Sequence, residues 1–247
     1  MYKEICQIVL FVLISITISP AVSAQEKSEP TINKHENKGF VDLNGYYDTR
    51  EFSVFTVNLL AILPNRFQYF SFTNYQSSAK SADLENFYSE QNLRWKISDN
   101  SPFDLTHQIV IRQGDVNDNF RFGIRWRLNN TPKLESFFKK INMSYALNPM
   151  LIDFRKSTEV KYMTAIEHVY RINVLPKVFK NRVYLGGFAD QNFIYNNNKL
   201  SFKWVSEHQL GIRVLDQLYL VLEYRINDFL PTDNYGLGYG LEYKIKF

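Results

Sequence analysis

Residues Tyr235 to Phe247 read YGLGYGLEYKIKF. Every odd position is apolar or aromatic, and every even position is a glycine or a charge. Strand side chains alternate with a period of two, so Tyr235, Leu237, Tyr239, Leu241, Tyr243, Ile245 and Phe247 share one face of a strand. Gly236, Gly238, Gly240, Glu242, Lys244 and Lys246 share the other. One face suits lipid and the other suits water. A soluble antiparallel sheet can alternate in the same way, but it rarely spends so many tyrosines on one face and ends on an aromatic.

The opening of the chain points the same way. Lys3 stands in a short polar start, an apolar run follows from Ile8 to Ile18, and Val22-Ser23-Ala24 forms a small-residue cleavage pattern. The run is too short to cross a bilayer as a helix. It reads as a secretory signal peptide over 1–24, followed by a polar periplasmic lead-in over 25–38 and a barrel over 39–247. The one cysteine, Cys6, falls inside the leader, so the mature chain has no disulfide scaffold and no thiolate metal site.

Composition sets the class. Of 247 residues 45% are apolar and 16% aromatic, yet mean hydropathy is −0.29 and no segment after the leader approaches an apolar 20-mer. Lipid offers no partner to backbone N–H and C=O groups, so this chain can span a membrane only as a closed sheet. The net charge of +4 is modest and dispersed along the sequence. It leaves no footprint for nucleic acid.

Alternating segments separated by turn-rich breaks fall at 40–48, 53–62, 67–76, 86–97, 103–113, 119–128, 142–149, 159–172, 182–195, 199–214, 217–227 and 235–247. The expected fold is all-β: a closed antiparallel transmembrane β-barrel of about 12 strands, whose lengths bracket the ~9–11 residues that a tilted membrane strand needs. With both barrel ends periplasmic, Pro64-Asn65-Arg66, Ser98 to Pro102 and Leu215-Asp216 are periplasmic turns. Gln76 to Glu85, Pro149 to Thr158 and Asp228 to Asn234 are then outer loops, expected to be longer on average.

One connector has helical spacing. Thr131-Pro132 reads as an N-cap with proline at the first helical position, and Leu134, Phe137, Phe138 and Ile141 follow with Lys133, Lys139 and Lys140 between them. This predicts a short amphipathic periplasmic helix over 132–141, lying either at the membrane interface or over the barrel mouth, with a plain hairpin connector as the alternative.

Strand faces can be assigned from the alternation. In 119–128, Phe120, Phe122, Ile124, Trp126 and Leu128 point one way, and Arg121, Gly123, Arg125 and Arg127 the other. In 217–227 the same split sets Leu218, Leu220, Leu222, Tyr224 and Ile226 against Tyr219, Glu223, Arg225 and Asn227. A lipocalin-like barrel would turn the apolar face inward, and the export signal and terminal aromatic favour the opposite. The candidate lumen-lining residues are therefore Arg94, Arg112, Arg121, Arg125, Arg127, Glu207, Glu223, Arg225 and Glu242. Arg94, Lys96, Arg112, Arg121, Arg125 and Arg127 make a basic wall opposed locally by Glu90 and Asp104 alone. Such a wall either favours anions by its field or consists of ion pairs that fill a narrow interior.

Catalysis finds little footing. His35 lies in the lead-in, and His107, His168 and His208 share strand faces with apolar residues. Glu167-His168 and Glu207-His208 are adjacent strand residues, which point to opposite faces. No serine elbow, phosphate loop, paired-carboxylate motif or metal-ligand set is present in the sequence, so no catalytic residue, metal or cofactor is expected.

The succession RFQYFSFTNYQS (Arg66 to Ser77), ENFYSEQNLRWKIS (Glu85 to Ser98), FDLTHQIVIRQG (Phe103 to Gly114) and NFRFGIRWRL (Asn119 to Leu128), with the glycine-rich end, resembles the nucleoside-specific channel (Tsx-like) family in pattern. That resemblance implies twelve strands and passive uptake of nucleosides or other small polar solutes through an aromatic-lined lumen, for which Tyr88, Tyr184 and Tyr219 are available. The terminal Phe247 resembles the signal read by the outer-membrane barrel assembly machinery. The expected partners are the lipid bilayer of a Gram-negative outer membrane, that machinery and small polar solutes. Two functions stand open: a diffusion channel, and a closed structural or adhesive barrel whose outer loops meet partners.

Overall fold

The computed structural model describes residues 38–247 except 78–83, 115–117, 156–161 and 197–198. The segments expected to be signal peptide and, but for residue 38, lead-in lie outside the described residues. Twelve strands follow one another: β1 (Gly39–Asp48), β2 (Phe52–Ile62), β3 (Phe67–Ser77), β4 (Leu84–Lys96), β5 (Phe103–Arg112), β6 (Asn119–Arg127), β7 (Met143–Arg155), β8 (Tyr162–Asn173), β9 (Val183–Asn196), β10 (Lys199–Arg213), β11 (Leu218–Asn227) and β12 (Tyr235–Lys246). Each pairs antiparallel with its neighbours in sequence, and β1 closes on β12. Val41 opposes Ile245 and Leu43 opposes Tyr243 across that seam. The carbonyl of Phe247 extends it by accepting the N–H groups of Lys38 at 2.6 Å and Gly39 at 3.0 Å. Among the described residues no sheet edge is left unpaired, as hydrocarbon requires.

The two faces settle which side is inside. On β11 and β12, Leu220, Leu222, Tyr224, Leu237, Tyr239 and Leu241 are exposed, while Glu223 and Glu242 are each 2% exposed. Burying charge and exposing leucine is the reverse of a soluble barrel, and the exterior is a surface for lipid.

Three expectations need correction. β7 continues to Arg155, so Pro149 to Arg155 is strand and not loop. Its register against β6 shifts between Phe122 and Gly123. A Cβ at Gly123 would stand 2.2 Å from the Pro149 carbonyl oxygen, so the close approach needs glycine. Pro149, which has no N–H to give, falls where the β6–β7 ladder lapses. Second, the longest connectors, 128–142 and 174–182, lie at the end where β1 begins and β12 finishes, reversing the expected asymmetry of loop length. Third, the helix α1 spans Glu135–Lys140, preceded by a 3-10 turn at Leu128–Asn130. Lys133 adopts φ 74°, so Pro132 cannot start a continuous helix. Thr131 serves the turn instead, its hydroxyl accepting from Trp126 Nε1 at 2.8 Å and donating to the Arg127 carbonyl at 3.1 Å.

The candidate functional site: a filled lumen and its vestibule

Near the end where β1 begins and β12 finishes, ion pairs fill the interior from two walls. On β5 and β6, Asp104 takes Arg125 at 2.5 Å and Arg127 at 3.1 Å. Arg125 also reaches past β4 and β5 to donate to Gln68 of β3 at 2.7 Å. On the other wall Tyr184 of β9 reaches over β10 and β11 and donates to Glu242 of β12. It does so over Gly211, where an ideal Cβ would stand 2.1 Å from its ring. Lys244 binds Glu242 at 2.5 Å and Asp42 at 3.1 Å.

At mid-depth the packing is amide-rich. Gln108 and Asn92 are each 1% exposed. Gln108 donates to Asn92 and to Glu90, each at 3.2 Å, and receives Arg121 at 3.0 Å. Arg121 also pairs with Asp153 at 3.3 Å. Arg94 forms no ion pair among the described residues, and its guanidinium stands 5.5 Å from the Phe70 ring centroid. Glu167 and Asp190 face one another in register between β8 and β9, a like-charge pair. Phe72 of β3 and Phe188 of β9 make a T-shaped contact with ring centroids 6.3 Å apart.

Beyond that contact, toward the end where β1 finishes, the barrel opens into a cavity of about 670 Å³. Arg112, Arg121, Arg225, Asp190, Glu207, Asn74, Asn192, Tyr88 and the two phenylalanines are among its lining residues. Arg50, held by Asp48 at 2.8 Å, donates to the Asp233 carbonyl at 3.1 Å and ties the 228–234 loop to the rim, where Phe229 and Leu230 border the cavity.

All nine residues expected to line the lumen occupy inward positions, but they do not form a free basic wall. Arg121, Arg125 and Arg127 are neutralised by Asp153 and Asp104. Glu223 is held by Arg225, which also lies 3.8 Å from Glu207. Arg112 donates to Asn119 at 2.6 Å and stands over Tyr88. Asp153 belongs to the stretch after Pro149 that reads as a loop in sequence but is strand in the structure. Asp42 was legible in the inward alternation of β1, and Phe72 and Phe188 only as breaks in the polar pattern of their faces. The barrel histidines point outward. Tyr145 bonds His168 at 2.6 Å, Tyr170 bonds His208 at 2.8 Å, and His107 packs on Phe120 and Phe122.

A closed twelve-strand barrel, apolar outside and charged within, has the fold of an outer-membrane β-barrel. The same fold occurs in the solved KdgM porin (TM-score 0.50, 13% identity, 83% of this chain and 98% of that chain covered). It also occurs in the NanC porin (TM-score 0.52, 8% identity, 84% of this chain and 99% of that one). The COG4313 outer membrane channel from Pseudomonas putida F1 aligns at 9% identity with a TM-score of 0.46, over 90% of this chain and all of that one. No family model matches the sequence. No curated protein sequence matches it either.

Proposed function

We propose that the protein is an outer-membrane channel for small polar solutes, with the 670 Å³ cavity as its vestibule and the Phe72–Phe188 contact as its constriction. The cavity carries the reading. Its volume lies within the ~300–1,000 Å³ typical of small-molecule sites, and it mixes aromatic faces with arginines, carboxylates and amides. Nucleosides, implied by the sequence resemblance, are one class with a stackable ring and polar edges suited to such a lining.

Single-channel recording of the protein in planar bilayers tests this. The expected result is a small conductance that falls when a permeant solute occupies the vestibule. A second reading, a closed structural barrel, draws on the same Phe72–Phe188 contact and on the deeply buried Gln108 and Asn92. No conductance, either in the wild type or after both phenylalanines are replaced by alanine, would overturn the channel reading.

A further inference from the structure

The positive charge that is dispersed in sequence is gathered in space. Connectors 128–142 and 174–182 leave the same end of the barrel. They carry Lys133, Lys139, Lys140, Lys177, Lys180 and Arg182 against one acid, Glu135, in a chain whose whole net charge is +4. All six basic residues are exposed. The Asn142 carbonyl accepts the N–H of Asn173 at 3.0 Å, joining the end of the first connector to the start of the second.

Apolar side chains are interleaved with these charges. Leu175 is 60% exposed, Val178 68% and Phe137 55%, with Ile141 and Phe179 also exposed. In the first connector the placement is set by Phe138, whose ring stacks on Tyr145 with centroids 6.1 Å apart. Tyr145 bonds His168 on the lipid-facing side. Helix α1 therefore lies against the outside of the rim and not across the lumen. Exposed aromatic and aliphatic groups beside lysines, at the edge of a lipid-facing surface, match the boundary between acyl chains and phosphates. The apolar groups enter the hydrocarbon edge while the ammonium groups meet the headgroups.

We infer that this rim is a binding surface for anionic phospholipid headgroups in the leaflet at the end of the barrel where β1 begins and β12 finishes. The basic side chains attract the phosphates, and the apolar ones hold the connectors at headgroup depth. The surface is independent of the lumen and of whether the lumen conducts.

The test is lipid retention by the protein in vesicles of phosphatidylcholine mixed with phosphatidylglycerol, read by mass spectrometry of the lipid that copurifies. Preferential retention of phosphatidylglycerol is expected. The Lys139→Gln, Lys140→Gln, Lys177→Gln, Lys180→Gln variant should lose that preference, by up to about fivefold for each charge removed. Lys199→Gln, at the opposite end, should leave it intact. Equal retention of the two lipids by the wild type would overturn the inference, as would an undiminished preference in the quadruple variant or an equal loss in Lys199→Gln. Thermal unfolding in phosphatidylcholine alone checks that the quadruple variant is folded; if it is not, Lys177→Gln, Lys180→Gln takes its place with the same outcomes.

Discussion

The rings of Phe72 and Phe188 meet edge to face, 6.3 Å between centroids, although β3 and β9 stand half the circumference apart in the strand order. Two aromatic side chains thus bridge opposite walls of the interior. Tyr88 packs on Phe72 from the side at 6.0 Å. Replacing either phenylalanine by alanine should raise single-channel conductance, because either ring alone leaves the gap open. In unfolding experiments the double-mutant cycle should return a coupling of about 0.5–1.5 kcal/mol. Conductance unchanged in both single variants would move the constriction elsewhere.

Asp104, 1% exposed, serves two guanidiniums, so its removal and theirs are not equivalent. Asp104→Ala strands Arg125 and Arg127 together and should cost on the order of 3–5 kcal/mol. Arg125→Ala leaves Asp104 with Arg127 and should cost less. Because these charges are paired, Arg125→Ala should also barely change the reversal potential in a salt gradient. Urea titrations in detergent give the ordering, and equal losses in the two variants would contradict it.

The path of Tyr184 to Glu242 depends on the missing side chain at Gly211. Tyr184→Phe removes only the hydroxyl. Glu242 keeps Lys244, so the loss should sit at the low end of ~1–3 kcal/mol. Gly211→Ala displaces the whole ring and should cost more. An alanine variant as stable as the wild type would show that the ring has room to move.

Much of this fold could be read from the chain because both of its controlling signals are local. Strict alternation in β6, β11 and β12 fixes inward and outward faces, and glycine, proline and asparagine mark most turns. Where sequence and structure part, a signal local to the chain is outweighed by a contact with another strand or by a single backbone angle. Pro149 reads as a loop because proline lacks a donor, yet the bulge opposite Gly123 removes the need for one. The same proline conceals in sequence that Asp153 is a strand residue able to pair with Arg121. Phe72 and Phe188 show in sequence only as apolar breaks on inward faces, since nothing in either strand's own alternation says that the two rings meet across the barrel. Thr131-Pro132 has the composition of a helix start, and only the φ of Lys133 shows that it is a turn.

Phe247 holds the seam through its backbone. Its carbonyl takes two N–H groups and its own N–H donates to Gly39 at 3.2 Å. Its deletion should lower the heat-modifiable fraction recovered in outer membranes. Refolding the same variant in detergent separates two causes: a parallel loss there reflects seam stability, whereas normal refolding points to recognition during assembly. Full recovery in both would remove any role for the residue.

Phe137 and Phe138 are neighbours in α1 with opposite surroundings, one 55% exposed and the other 7%. Phe138→Ala removes the ring that stacks on Tyr145 and should destabilise the barrel toward the low end of ~3–5 kcal/mol, since the site lies at the rim. Phe137→Ser should change stability in detergent by no more than about 0.5 kcal/mol. Neither should alter conductance, because the helix rests on the outer side of the wall and covers no part of the lumen. A rise in conductance with either variant would instead place α1 over the mouth.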